Sequence, residues 1–260
     1  MALNVNRRIE LYHTLPEGVI ATRKWLLDNN FSNHSIDNLV KSNQLESISK
    51  GVYVRNKAKI SWQSIVFSLQ STVKTDAVIG GLTALEMQGL SHYLSFSENK
   101  TVHLYGKDPL PKWVMNLDVN VKFIKHSTKG FFESNEYEKQ KDQFTIEIEW
   151  DNEGRKLIVA KPDRAYLEVL LQVPTKITFE HADQLIQGLT TLSPRSLQKL
   201  LEQCQNIKAK RLFLWFADRQ NYSWLNKIER NKITLGSGNR MIAKGGKLDN
   251  KYKITVPEWL

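Results

Sequence analysis

The chain has a single cysteine, Cys204, among 260 residues. No intrachain disulfide can form, and a metal site built on several thiolates is excluded. Such a composition fits a reducing compartment. Long apolar runs are equally scarce. A membrane helix needs roughly 20 apolar residues, whereas the most apolar short stretch, Leu212 to Ala217, has six. The opening MALNVNRRIELYHTL carries early charges and no apolar core of signal-peptide length, so secretion is not expected. Histidines are few and scattered (His13, His34, His92, His103, His126, His181), with no pair at i, i+4. No zinc site is expected from them. A Walker loop and a Gly-x-Ser-x-Gly elbow are also missing, which removes the commonest signatures of nucleotide hydrolysis and serine chemistry.

What the chain does have is an ordinary folded composition, 41% hydrophobic and 25% charged, with an excess of positive charge, formally +10. Its length fits one or two domains with a sizeable core. The charge is uneven: residues 1–90 carry +3, residues 91–204 carry −1 and residues 205–260 carry +8. Charge gathered toward both ends is what two surfaces approaching a polyanion would need, although a solvated basic face reads the same way.

Apolar periodicity predicts a helix over residues 4–13 with Val5, Ile9 and Tyr12 on one face, then the turn Leu15-Pro16-Glu17-Gly18. Thr22 can cap a helix from Arg23 to about Asn29 that buries Trp25 or Leu26 with Leu27, and Ser32 can cap a third. In that third helix Ile36, Leu39 and Val40 fall on one face, leaving Asn33, His34, Asp37, Asn38 and Lys41 outside. Leu45 to Ser49, the Lys50-Gly51 turn and Val52 to Arg55 read as a hairpin. This is the layout of a winged helix-turn-helix, whose third helix enters the DNA major groove. Support helices are predicted over Ser61–Ser71 and from about Ala77 to Leu90, with a domain boundary near 95. Beyond it, strands (Thr101–Tyr105, Val119–Ile124, Phe144–Trp150, Lys156–Val159) and helices (Pro162–Gln172, Phe179–Leu189, Ser193–Cys204, Ala209–Phe216) alternate irregularly. The fold class is therefore α+β: a winged module over 1–95 and a mixed α+β domain over 96–260.

The chemistry of the third helix suits double-stranded DNA. Asn33 and Asn38 can pair with adenine, Lys41 can reach guanine, His34 can meet a base edge, and Ser32 or Ser35 can hold phosphate. Lys50 and Arg55 of the wing, with Lys57 and Lys59 after it, are the expected backbone-positioning cations, and Arg23 and Lys24 are expected among the DNA-binding residues. Asp37 on the same face speaks against polyanion binding. A second basic surface is expected from Arg219, Lys227, Arg230, Arg240, Lys244 and Lys247.

The alternative is a winged protein carrying a metal-dependent nuclease or nucleotidyltransferase domain. Glu147, Glu149, Asp151 and Glu153 alternate along a strand and its turn, but the acid-x-Lys element of such nucleases is missing. Gly236-Ser237 resembles the Gly-Ser start of a nucleotidyltransferase site, yet only Asp249 follows it, too few carboxylates to hold magnesium. A connecting loop is the expected reading there, as a buried helix is for Leu212 to Ala217. No catalytic residue, metal or cofactor is expected.

Four stretches together resemble a known family. They are Thr22-Arg23-Lys24-Trp25-Leu26 through Gly51-Val52-Tyr53-Val54, then Gly81-Leu82-Thr83-Ala84-Leu85-Glu86-Met87-Gln88-Gly89-Leu90, then Lys161-Pro162-Asp163-Arg164-Ala165, and finally Leu235-Gly236-Ser237-Gly238-Asn239-Arg240 with Lys244-Gly245-Gly246-Lys247-Leu248-Asp249. The chain is similar to the AbiEi-type antitoxins, transcriptional regulators of type IV toxin–antitoxin (abortive infection) systems. The resemblance implies a cytoplasmic protein that represses its own operon by binding inverted repeats. It also implies action against a nucleotidyltransferase-type toxin without a stable complex, so that the transferase chemistry belongs to the toxin. No residue for antitoxicity is marked by a motif in this chain.

Overall fold

A computed structural model of the chain describes residues 5–91, 100–132 and 135–260. The boundary expected near 95, and His92, lie outside the described residues.

The chain opens with α1 (Val5–Thr14), β1 (Ala21–Thr22), α2 (Arg23–Asp28), α3 (Asn33–Lys41), β2 (Leu45–Ser49) and β3 (Val52–Arg55). β3 lies between β1 and β2 and runs antiparallel to both. That order and pairing is the one expected of a winged helix-turn-helix. Local chemistry sets the helix starts: the Thr22 hydroxyl accepts the Trp25 N–H and the Ser32 hydroxyl accepts the Ser35 N–H, each satisfying a donor the first turn leaves open. Leu11, Leu15, Leu26, Ile36, Leu39, Leu45 and Tyr53 close a small core beneath them.

The face expected for α1 is corrected. Ile9 and Tyr12 are 50% and 53% exposed, whereas Leu11 and Leu15 are fully buried. The helix offers two apolar stripes, and the one continuing into the following turn meets the core; the Tyr12 ring instead lies under the Arg55 guanidinium, 3.9 Å from it. Of the pair expected from α2, Leu26 is buried and Leu27 exposed. The Val5 side chain lies outside the described ones.

The remainder comprises α4 (Trp62–Ser71), β4 (Val78–Ile79), α5 (Gly81–Met87), β5 (Lys100–Gly106), β6 (Val121–Ser127), α6 (Asn135–Gln140), β7 (Thr145–Glu149), β8 (Lys156–Ala160), α7 (Pro162–Leu170), α8 (Phe179–Gln187), α9 (Pro194–Gln203), α10 (Ile207–Gln220), β9 (Lys247–Asp249) and β10 (Ile254–Val256). Five strands form one sheet in the order β6-β5-β4-β8-β7. It is mixed: β5–β6 and β4–β8 are parallel, β4–β5 and β7–β8 antiparallel. The class is α+β.

Residues 77–90 are not one helix. Val78–Ile79 is the middle strand of the sheet, and the helix starts only at Gly81. The two glycines make this turn fit. A Cβ on Gly80 would stand 2.1 Å from Glu168 Oε2, and Gly81 takes φ +53, donating its N–H to that same oxygen at 2.9 Å. Helix α4, β4 and α5 share the larger core with α7 and α10. Ile20 and Val52 of the winged unit also belong to it, and the main chain of Ile20 is held by α4: its N–H donates to Ser68 Oγ at 2.8 Å and its carbonyl accepts the Thr72 hydroxyl at 2.6 Å.

Candidate nucleic-acid interface

Helix α3 buries Ile36 and Leu39 and leaves Asn33, His34, Asp37 and Lys41 exposed, with Ser35 and Asn38 half-buried. The outer face is thus polar along its whole length, as the sequence spacing anticipates. Ser32 and Ser35 are drawn into the helix cap, with their hydroxyls 3.0 Å apart. Lys24 on α2, Lys50 at the wing tip and Lys57 just past the wing are exposed. Gly51 at that tip takes φ +71, which a residue with a Cβ adopts only under strain.

Arg23 is placed differently from the other cations. Its Nη1 donates to Asn33 Oδ1 at 2.8 Å, and its Nη2 donates to Asp37 Oδ1 at 2.6 Å and to the Tyr53 hydroxyl at 2.9 Å. Its Nε donates to the same hydroxyl at 3.1 Å, and its main-chain N–H to the Gly51 carbonyl at 2.8 Å. One guanidinium therefore ties the start of α2 to the first two turns of α3 and to the wing strand. The hydrogen bond to Asp37, then that to Tyr53, holds the Arg23 guanidinium above its ordinary range. The acidic group on the outer face of α3 is thereby neutralised within the protein. Sequence reasoning placed Arg23 among the DNA-binding residues and gave Tyr53 no part in this bracket; the available signal was the spacing of Asn33 and Asp37, which at i, i+4 stand on one helix face. Arg55 is half-buried over Tyr12 and anchors the wing to α1.

The second basic set is divided. Arg230 donates to Asp218 and to the Tyr252 hydroxyl, and Arg219 donates to Asp183 and to the main-chain oxygen of Leu260. Lys227, Arg240, Lys244 and Lys247 are exposed. Between these groups runs the Gly236–Asn239 loop, held from beneath by Arg211, which is buried. Its Nε donates to the Leu235 carbonyl at 2.7 Å, and its Nη1 to those of Gly238 at 2.7 Å and Lys253 at 3.0 Å. These carbonyls face the guanidinium, so the loop is fastened by its acceptors. Nothing in that arrangement gathers main-chain donors for a phosphate.

The acidic strand face is paired rather than clustered. Glu147 meets Lys156 at 3.3 Å, and Asp151 meets Arg155. Among the described residues no group of three or more His, Cys, Asp or Glu could share a metal ion. Among them, too, no helix is long and apolar enough to cross a membrane.

Comparison with known proteins agrees with this anatomy. Residues 6–96 match the model of the "transcriptional regulator, AbiEi antitoxin N-terminal domain", and residues 99–257 match that of the "transcriptional regulator, AbiEi antitoxin, type IV TA system". No curated protein matches the chain. Among solved structures, the RV2827C protein from Mycobacterium tuberculosis is similar in fold, with a TM-score of 0.50 at 15% identity over 95% of this chain and 89% of that one. With the winged unit and the body behind it both matched over nearly their whole length, the chain belongs to the AbiEi antitoxin family of transcriptional regulators of type IV toxin–antitoxin systems.

Proposed function

We propose that the protein is a cytoplasmic autorepressor and antitoxin. It binds inverted repeats in its own operator and counteracts a nucleotidyltransferase-type toxin without holding it in a stable complex. The observation that carries the DNA-binding reading is the exposed polar face of α3, with Lys24, Lys50 and Lys57 also exposed on the same winged unit. In this reading His34, Asn38 and Lys41 approach base edges in the major groove, while Lys24, Lys50 and Lys57 lie along phosphates. Lys227, Arg240, Lys244 and Lys247 extend the charged footprint from the body of the molecule. The transferase chemistry resides in the toxin, and this chain acts by binding.

The test is titration of labelled DNA from upstream of the chain's own gene by fluorescence anisotropy. Affinity is expected to fall steeply with salt, and replacing Asn38 and Lys41 by Ala to cost about 1–3 kcal/mol per lost base contact. Equal binding by that double variant removes α3 as the reading helix. Co-expression with the neighbouring toxin gene tests the antitoxin half, growth rescue being the expected result.

A further inference from the structure

Within that reading, one side chain of the interface is held in a defined orientation before any ligand arrives. Arginine carries only donors, so the atom of Asn33 that meets Arg23 Nη1 at 2.8 Å is the amide oxygen. The Asn33 NH2 group is therefore the end of the side chain left facing away from the bracket, on an exposed residue in the first turn of α3. Arg23 in turn is fixed by partners on two other elements, Asp37 one turn along α3 and Tyr53 on β3. Four of its five N–H donors are engaged inside the protein, and its charge is matched by that of Asp37 at 2.6 Å. A guanidinium so committed is a poor phosphate ligand, because a phosphate would have to displace contacts already made.

We infer that Arg23 is a positioning residue that turns the Asn33 oxygen toward itself and presents the Asn33 NH2 to the major groove, selecting a base that offers an acceptor at its position. Bidentate recognition of adenine needs the asparagine to accept from N6 while donating to N7. Arg23 takes one of the two lone pairs of the Asn33 oxygen and fixes that oxygen toward the guanidinium, so the group presented to a base is the NH2, donating to guanine O6 or N7, adenine N7 or thymine O4. The inference rests on the DNA-binding reading above and adds to it the polarity of one contact and a non-contact role for Arg23.

The experiment compares the full-length chain with Arg23→Lys, Arg23→Ala, Asn33→Ala, Asn33→Asp and the Arg23→Lys/Asn33→Ala pair. Each is titrated on promoter DNA and on a scrambled duplex of equal composition across a salt series, with thermal melting to confirm that each variant is folded. Arg23→Lys keeps the charge and loses the fork. It and Asn33→Ala are each expected to weaken promoter binding by about five- to tenfold, roughly 1 kcal/mol or slightly more. The pair should lose little more than either alone, because the two act as one unit. Asn33→Asp, which keeps the oxygen toward Arg23 and presents a second oxygen to the groove, should bind no better than Asn33→Ala.

The salt slope of Arg23→Ala should equal that of the wild type, since no phosphate contact is lost; a slope lower by about one would make Arg23 a phosphate ligand and overturn the inference. Wild-type affinity in Arg23→Lys or in Asn33→Asp overturns it as well. A loss in Asn33→Ala that is equal on scrambled DNA assigns the amide to phosphate and overturns the base-edge contact. If the wild type binds neither duplex at low salt, the underlying DNA-binding reading falls and takes this inference with it, an outcome distinct from wild-type binding with unaffected variants.

Discussion

Asp218, near the end of α10, shows how a single side chain can decide what its basic neighbours do. It accepts hydrogen bonds from Arg230, from Lys251 and from the Tyr252 hydroxyl. Partial burial pushes its carboxyl up, but these donors outweigh burial and bring it down to about 2, against an ordinary 3.8. An acid whose folded value is depressed stabilises the fold above its unfolded value, and the contribution drains away as pH falls through the window between the two. Asp218→Asn is therefore expected to cost about 2 kcal/mol at neutral pH and to flatten the loss of stability between about pH 4 and pH 2. Urea unfolding across that range checks it; a variant as steep as the wild type would remove the assignment. The same residue explains why the basic surface looked larger in the sequence than it is. Arg230 and Arg219 counted as outward cations, yet their carboxylates, Asp218 and Asp183, sit on other elements 12 and 36 residues away in the chain, and no local spacing announces such a pairing. Asn33 and Asp37 stood at a readable spacing, but their partner Arg23 lies on another helix.

At the scale of elements, length decides what is legible. Helices α7 to α10 and strands β5 to β8 carry several turns or alternations of apolar pattern, and the spacing locates them to within a few residues. Strand β4 has two residues and no pattern, so its apolar side chains merged with those of α5 into a single predicted helix. The turn between them is nonetheless among the most constrained places in the molecule. It packs against the buried Arg164–Glu168 pair of α7, joined at 2.9 Å, and against the Tyr105 ring. Gly80→Ala would press its methyl into Glu168 and is expected to cost about 1–3 kcal/mol, or more if the ion pair is displaced, as read by thermal or urea unfolding. A second element-scale feature joins β5 to β6: His103 Nδ1 and His126 Nε2 lie 2.8 Å apart, and the His126 ring stacks on Tyr105. Burial, with His103, Lys176 and Lys125 nearby, lowers His126 to about 4 from 6.5, and burial also lowers His103. The unfolded chain then takes up more protons than the folded one between those values, so stability should fall as pH drops from about 6.5 toward 4. His126→Gln, which cannot be protonated, is expected to lessen that fall in thermal midpoint. An undiminished fall would mean that the acid sensitivity arises elsewhere.

For the whole molecule the question is how a winged unit of roughly fifty residues is held to the body behind it. The winged unit has its own core, but a core of that size stabilises a domain only marginally. A few bonds cross to the body: Ile20 between Ser68 of α4 and Thr72 at its C-terminal cap, and Arg155 Nη1 donating to the Glu17 carbonyl at 3.2 Å. Both Ile20 bonds are buried, so removing the hydroxyls leaves a main-chain donor and a main-chain acceptor without partners in an apolar setting. Each such loss costs about 1–3 kcal/mol. Ser68→Ala/Thr72→Val should therefore do more than lower stability. The wild type is expected to unfold in one calorimetric transition, because Ile20 and Val52 of the winged unit lie in the core of the body and Phe67 packs against both cores. The double variant is expected to unfold in two, the winged unit first, and to bind promoter DNA more weakly although no residue of the reading face has changed. The Phe67 ring, packed against both cores, provides an apolar contact that remains and keeps the units adjacent in the folded variant. A single transition at the wild-type midpoint, with unchanged affinity, would show that apolar contact alone fixes the module and that the Ile20 hydrogen bonds are dispensable.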